Sequence, residues 1–191
     1  MLLVLVSLGF QNNKPHVTKW VVIKGCSLQV DGSTNVNKFS CKIINYSHPD
    51  TIIVTSDVNQ QVQLKGSIRL DVQKFDCHNP IMTADLRKTL KAKEFPKLII
   101  YFVSMGRYPG VASSNDLIKG TVIISLAGVS KRLEVDYKVI TAQTNNITVI
   151  GSRKINFSDF DIKPPRKLGG MIQTNNELSV VFTLKIKELD K

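Results

Sequence analysis

Apolar and polar residues alternate with a period of two through most of the chain. In the closing segment Leu178, Val180, Phe182, Leu184 and Ile186 fall on one face, and Ser179, Thr183, Lys185 and Lys187 on the other. Successive side chains of a strand point to opposite faces, so this segment predicts a half-buried antiparallel strand. Leu133, Val135, Tyr137 and Val139, set against Arg132, Glu134, Asp136 and Lys138, predict a second. Val62, Leu64, Ile68 and Leu70 predict a third, with Gly66 marking a bulge. Residues 98–105 and 118–126 are apolar more continuously, as in strands covered on both faces or strands whose outer face meets another surface. Turn-forming clusters separate these runs: Asp31-Gly32-Ser33, His48-Pro49-Asp50, Tyr108-Pro109-Gly110, Ser113-Ser114-Asn115-Asp116, Thr144-Asn145-Asn146 and Thr174-Asn175-Asn176. About eight or nine β-branched strands at this spacing predict an all-β sandwich or barrel.

One segment departs from that period. In "TADLRKTLKAKEF" Thr83 is placed to cap a first helical turn, Asp85 complements the positive dipole end, and Leu86 and Leu90 share a face. Pro96 then stops the helix. Such a helix in an all-β chain lies across a barrel mouth or a sheet edge, with Leu86 and Leu90 down and Arg87, Lys88, Lys91 and Lys93 in water. Further along, "INFSDFDIKPPRKLGG" reads as a rim loop: Pro164 and Pro165 forbid ladder hydrogen bonds, while Phe157, Phe160 and Ile162 tuck inward.

Composition narrows the partners. At 191 residues the chain has room for one well-buried core, and no linker or repeat divides it. Its formal charge of +11 favours anionic partners, such as a phospholipid surface or a phosphorylated ligand. Nucleic acid is not expected, because only 7% of the residues are aromatic and no arginine-rich tract occurs. Residues 1–10, "MLLVLVSLGF", are apolar throughout yet too short to span a bilayer. They read as a residual secretory signal or a disordered terminus over 1–16, leaving 17–191 as the domain and a periplasmic or secreted location as the expectation.

Reactive chemistry is sparse. His16, His48 and His78 share no metal-ligand spacing, and nucleophile-elbow, phosphate-loop, dinucleotide and C-x-x-C motifs are missing from the sequence. No catalytic residue, metal or cofactor is therefore expected. An enzyme working through a free Cys26 thiol is the weakest reading, since no base is placed beside it by sequence. Cys41 and Cys77 both follow strand-like runs, and a bridge between them would staple two β-elements for roughly 3 kcal/mol. Pairing of Cys26 with Cys41, or three buried thiols, remains open.

The ordered series "VDGSTNVNKF" (30–39), "GSIRLDV" (66–72), "CHNPIMTADLRKTLKAKEFP" (77–96), "IKGTVIISLAGVSK" (118–131) and "FSDFDI" (157–162), preceded by Trp20 to Val22, resembles the YceI-like domain. The resemblance runs from about Val17 to the closing amphipathic strand. It implies an eight-stranded antiparallel lipocalin-like barrel with one short capping helix. It also implies a long apolar cavity holding a polyisoprenoid, such as an isoprenoid quinone or prenyl phosphate.

Function follows as an expectation: non-enzymatic binding or transport of a long apolar lipid inside a barrel whose own side chains leave it hollow. By strand parity and helix face, Leu86, Leu90, Leu98, Ile100, Phe102, Val122, Ile124, Val180, Phe182 and Leu184 are the expected lining. Arg87, Lys88, Lys91 and Lys93 are the expected contacts to a head group or an anionic membrane. A homodimer is left open. The competing reading is a cell-envelope structural or stress-response interaction barrel with a filled interior.

Overall fold

A long final strand closes the sheet. The computed structural model describes residues 15–46, 48–56, 62–108, 117–141 and 146–190; the apolar segment 1–10 lies outside them. The strands in chain order are β1 (His16–Val22), β2 (Cys26–Ser33), β3 (Lys38–Tyr46), β4 (Thr51–Ser56), β5 (Val62–Asp71), β6 (Lys97–Met105), β7 (Leu117–Leu126), β8 (Val129–Thr141), β9 (Asn146–Asn156), β10 (Arg166–Lys167), β11 (Ile172–Gln173) and β12 (Glu177–Asp190). Among the described residues one α-helix, α1 (Pro80–Thr89), interrupts the passage from β5 to β6. Around the ring the order is β1, β4, β5, β6, β7, β8, β9 and β12, and β12 returns to β1. All pairings are antiparallel, so the result is a closed eight-stranded barrel.

β12 serves two partners in turn. Its residues 179–183 pair with β2, and residues 186–190 pair with β1. β1 and β2 therefore occupy one position in the barrel, broken at residues 23–25, where Gly25 takes a φ of +92° that side chains disfavour. β3 and β4 repeat the arrangement in the next position, pairing β2 and β1 respectively. At that second break the Tyr46 hydroxyl donates to Asp50, and the Tyr46 pKa is pushed up to about 12, first by burial and then by that bond.

Burial follows the predicted period. β7 alternates strictly from Ile118 to Leu126, and in β12 Leu178, Val180, Phe182, Leu184 and Ile186 are all buried. The continuous apolar runs in β6 and β7 resolve into a buried inner set and a partly exposed outer set of Ile99, Tyr101, Val103 and Ile123. Gly66 sits at the register shift in the β5–β6 pairing.

The expected tight turn at Asp31-Gly32-Ser33 does not form. β2 runs through all three residues, and the chain reverses over 34–37, where the Thr34 amide donates to the Asn37 carbonyl at 2.7 Å. Gly32 has another role: a Cβ there would lie 2.3 Å from the Phe39 ring and 2.8 Å from Leu178, so the missing side chain admits that ring.

Helix α1 also starts earlier than predicted. Asn79 is the cap, accepting from the Met82 amide at 3.0 Å, and Pro80 occupies the first turn, where its missing N–H costs nothing. Thr83 instead accepts a bond from the Cys77 amide at 3.0 Å. The helix ends before Lys91, whose φ of +52° breaks the spiral ahead of Pro96.

Beyond β3 the barrel wall has a gap, and covalent chemistry closes it. Lys42 and Asp76 exchange backbone bonds of 2.7 and 2.9 Å, and the adjacent Cys41 and Cys77 form a disulfide. This leaves Cys26 as the free thiol among the described cysteines. The bridge ties β3 to the residues that launch α1.

Two outcomes check this architecture. Denatured, unreduced protein should titrate one thiol, and a Cys41→Ser/Cys77→Ser variant should lose about 3–4 kcal/mol in denaturant unfolding. The folded-state Tyr46 pKa lies above the ordinary value, so its contribution is complete below about pH 10 and disappears as pH rises through about 12. Tyr46→Phe should therefore show a smaller loss of stability across that alkaline window, measured by urea unfolding at each pH.

Candidate ligand-binding site

The two ends of the barrel differ. At one end, α1 lies with Leu86 and Leu90 buried against the interior, and Phe157, Phe160 and Ile162 tuck in beside it from the segment after β9. Beneath them is a cavity of about 50 Å³. Every residue lining it is apolar: Leu28 and Val30 from β2, Leu98 and Ile100 from β6, Ile124 and Leu126 from β7, Ile155 from β9, and Leu178 and Val180 from β12. Phe75, Leu86, Leu90 and Phe157 form its roof.

Above the roof is a second, open space. A groove of about 310 Å³ runs between the 34–39 turn region, the first turns of α1 and residues 165–174. Val36, Phe39, Ile81, Met82, Pro165 and Ile172 are among its apolar lining. Leu86 and Phe157 line both spaces and so form the partition between them.

Part of the lining expected from strand parity and helix face lies at this site. Leu86, Leu90, Leu98, Ile100, Ile124 and Val180 line the inner cavity. Phe102, Val122, Phe182 and Leu184 are also buried but do not line it; each sits at an inward position farther from the mouth. There Phe182 packs edge-on to both Phe102 and Tyr137, with ring centroids 6.0 Å apart in each pair. Gly151 makes this possible, since a Cβ there would fall 2.0 Å from the Phe182 ring. Gly120 likewise leaves room for Tyr137, whose ring would lie 2.3 Å from an added Cβ.

This aromatic layer corrects the expectation of a hollow tube. Ligand cavities commonly measure about 300–1,000 Å³, well above the enclosed space here. Phe102, Phe182 and Tyr137 act as a floor, and Trp20 fills the region beyond them at 1% exposure. The Trp20 indole N–H and the Tyr137 hydroxyl have no hydrogen-bond partner in that interior, and burial pushes the Tyr137 pKa upward.

The basic residues of α1 separate into two kinds. Arg87 donates from Nη2 to the Phe75 carbonyl at 2.9 Å, which braces the roof, and its half-buried side chain also lines an open basin. Lys88, Lys91 and Lys93 are exposed around an open basin beside Gln73 and Glu94. Cys26 is 1% exposed, its Sγ accepts from the Lys185 amide at 3.2 Å, and burial raises its pKa. That environment disfavours the reactive thiolate. The histidines stay apart: His48 meets Asp50 at 2.8 Å, and no group of three or more metal-type ligands occurs among the described residues.

Sequence reasoning missed the cavity contributions of Leu28, Val30, Phe75, Leu126, Ile155, Phe157 and Leu178, and the whole open groove. Leu28 and Val30 carry a period-two signal, but the assumed turn at 31–33 placed them at a hairpin end. The groove joins three segments distant in sequence and has no local signature.

Comparison with known proteins gives one family and several solved structures of similar fold. The YceI-like domain matches residues 15–186. Among curated proteins, none matches the sequence. Of solved structures, BcnA of Burkholderia cenocepacia is similar with a TM-score of 0.58 and 13% identity, covering 84% of this chain and 95% of that one. A polyisoprenoid binding domain from Saccharophagus degradans, implicated in plant cell wall breakdown, has a TM-score of 0.56 and 10% identity over 91% and 99% of the two chains. The YceI protein of Campylobacter jejuni has a TM-score of 0.51 and 18% identity over 73% and 80%. At these identities the likeness is one of fold.

The floor can be tested by a double-mutant cycle. Phe182→Ala should cost about 3–5 kcal/mol, and Gly151→Ala alone about 1–3 kcal/mol. Added to Phe182→Ala, the Gly151→Ala change should cost almost nothing, because the ring it strikes is gone. Denaturant unfolding of the four proteins measures the coupling.

Proposed function

The chain belongs to the YceI-like domain family, and from that premise we propose that it is a non-enzymatic barrel that binds a long apolar lipid, of polyisoprenoid type, through its capped mouth. One observation carries the reading: a wholly apolar inner cavity and an open apolar groove are separated by only two side chains, Leu86 and Phe157. Rotation of these two joins the spaces into a path from solvent to the aromatic floor. The description of the Saccharophagus degradans neighbour as a polyisoprenoid binding domain supports the ligand class.

The physical basis is burial of hydrocarbon. Each methylene removed from water contributes about 0.8 kcal/mol, so affinity rises with the length of chain that the path accepts. Polar groups of the wall add little, because the inner lining has none. The lid suits repeated opening. The disulfide holds its leading end at Cys77, while Arg87 to Phe75 and the ion pair of Lys167 with Asp85 are contacts that break and re-form. Lys167, which lines the groove, is the cation placed to meet an anionic head group such as a prenyl phosphate at the entrance, whereas Lys88, Lys91 and Lys93 surround a separate basin at the other end of α1.

The Cys41–Cys77 bridge supports an oxidising compartment, periplasmic or secreted. A second reading rests on the aromatic floor: a barrel filled below Phe182 also suits a cell-envelope interaction or stress-response protein that carries no lipid.

Organic extraction of natively purified protein, followed by mass spectrometry, separates the two. A stoichiometric isoprenoid is expected, and Val180→Phe, which adds a ring to a space of about 50 Å³, should reduce the retained lipid about tenfold. A lipid-free extract, with no uptake of added polyprenol by the purified barrel, would favour the filled barrel and end the carrier reading.

A further inference from the structure

We propose that the mouth end of the barrel docks on an anionic lipid bilayer, with the turn between β10 and β11 inserting its apolar tip among the acyl chains. The inference goes beyond lipid binding and stands or falls without it. It also places the bilayer contact away from the lysines that follow α1, at the opposite end of the helix.

Four apolar side chains are exposed here. Leu168 is 67% exposed, Met171 70%, Val36 65% and Ile81 74%. Single exposed apolar residues are ordinary; here Val36 and Ile81 line the groove, and Leu168 and Met171 sit on the turn between its lining residues Lys167 and Ile172. Of the ten large apolar residues exposed among the described residues, the other six are spread over β3, β6, β7, β8, β12 and the turn at Phe95.

The tip is built to protrude. Arg166 and Lys167 pair with Gln173 and Ile172, and between them Leu168-Gly169-Gly170-Met171 turns the chain. Gly169 and Gly170 take φ of +64° and +98°, and a Cβ on either would meet nothing within 4 Å. Leu168 itself is held at a φ of +50°, a conformation that is costly for a bulky side chain. The platform beneath is tied in place. Asn35 donates from Nδ2 to the Met171 carbonyl at 2.8 Å and accepts from the Gln173 amide at 3.0 Å, and Lys167 pairs with Asp85 of α1. Val36, Leu168, Met171 and Ile81 are thus carried by segments bonded to one another.

Charge selects the occupant. Residues 33–38 and 163–176 contain Lys38, Lys163, Arg166 and Lys167 and no carboxylate. Asp85, the acidic group of the facing helix, pairs with Lys167, so these two charges cancel and Lys38, Lys163 and Arg166 remain as the positive excess. An apolar tip collared by cations matches a surface that is apolar inside and negative at its face. Long basic side chains keep their charge at the head groups while their stems lie along hydrocarbon. The groove opens on the same face, so a docked barrel would present its entrance to the bilayer.

Flotation of the full chain with phosphatidylcholine vesicles, with and without phosphatidylglycerol, tests this directly. Binding to the anionic vesicles is expected, weakened by salt and at least about tenfold weaker for Leu168→Ser/Met171→Ser. Ile140→Ser, on β8 near the other end, should bind as the unaltered protein does. Insertion has its own signal: Trp20 is buried and is the single native tryptophan, so Met171→Trp should shift its emission to the blue on anionic vesicles. No binding at low salt, or equal binding by the serine variant, overturns the proposal. So does a chain that is dimeric until Leu168 and Met171 are replaced and shows no affinity for vesicles. None of these results bears on whether isoprenoid is extracted from the barrel.

Discussion

Closure of the sheet along Glu177–Asp190 is the constraint from which the other features follow. One strand pairs β9 along its length on one side, and on its other side pairs β2 and then β1. Because the ladder bonds are satisfied around the ring, the barrel has no long open edge except beside β3. The backbone of β3 meets Asp76 there, and the disulfide makes that contact permanent. The break at residues 23–25, where the Ile23 amide donates to the Lys185 carbonyl, lies beyond the aromatic floor, and there β12 passes from β2 to β1 without leaving the ladder.

Closure also creates the conflict that shapes the interior. Inward positions on eight strands converge on a space that must be filled or left for a guest. Toward the end away from α1, glycine and aromatic side chains interlock, with Gly151 beneath Phe182 and Gly120 beneath Tyr137. Toward the mouth the inward residues are Leu, Ile and Val, whose shorter side chains leave a gap under the helix. The barrel is closely packed at its floor and keeps its small apolar cavity beneath the helix.

Much of this was legible along the chain. Alternation in β8 and β12 predicted which face is buried, since a strand has no other way to bury one apolar set. The helix was found from Leu86 and Leu90, although its start was misread: Thr83 resembles a cap, whereas Asn79 followed by Pro80 supplies the better one. The reading of Gly32 failed for a related reason. A glycine before a serine and after an aspartate has the composition of a turn, and only the Phe39 ring lying against it reveals a packing role. The sequence left the cysteine pairing open because three thiols allow several bridges until the strands are placed.

From composition and periodicity alone came the all-β class, the buried faces, the excess of positive charge and the scarcity of catalytic groups. These are properties of short stretches and of totals, and they survive any arrangement of the strands. Tertiary structure alone decided how much of the interior is empty, that Arg87 braces the roof from the edge of an open basin, and that Val36 and Ile81 face the segment carrying Leu168 and Met171 across one groove. Each of these depends on which distant segments meet across the closed ring, and no local pattern of residues encodes that meeting.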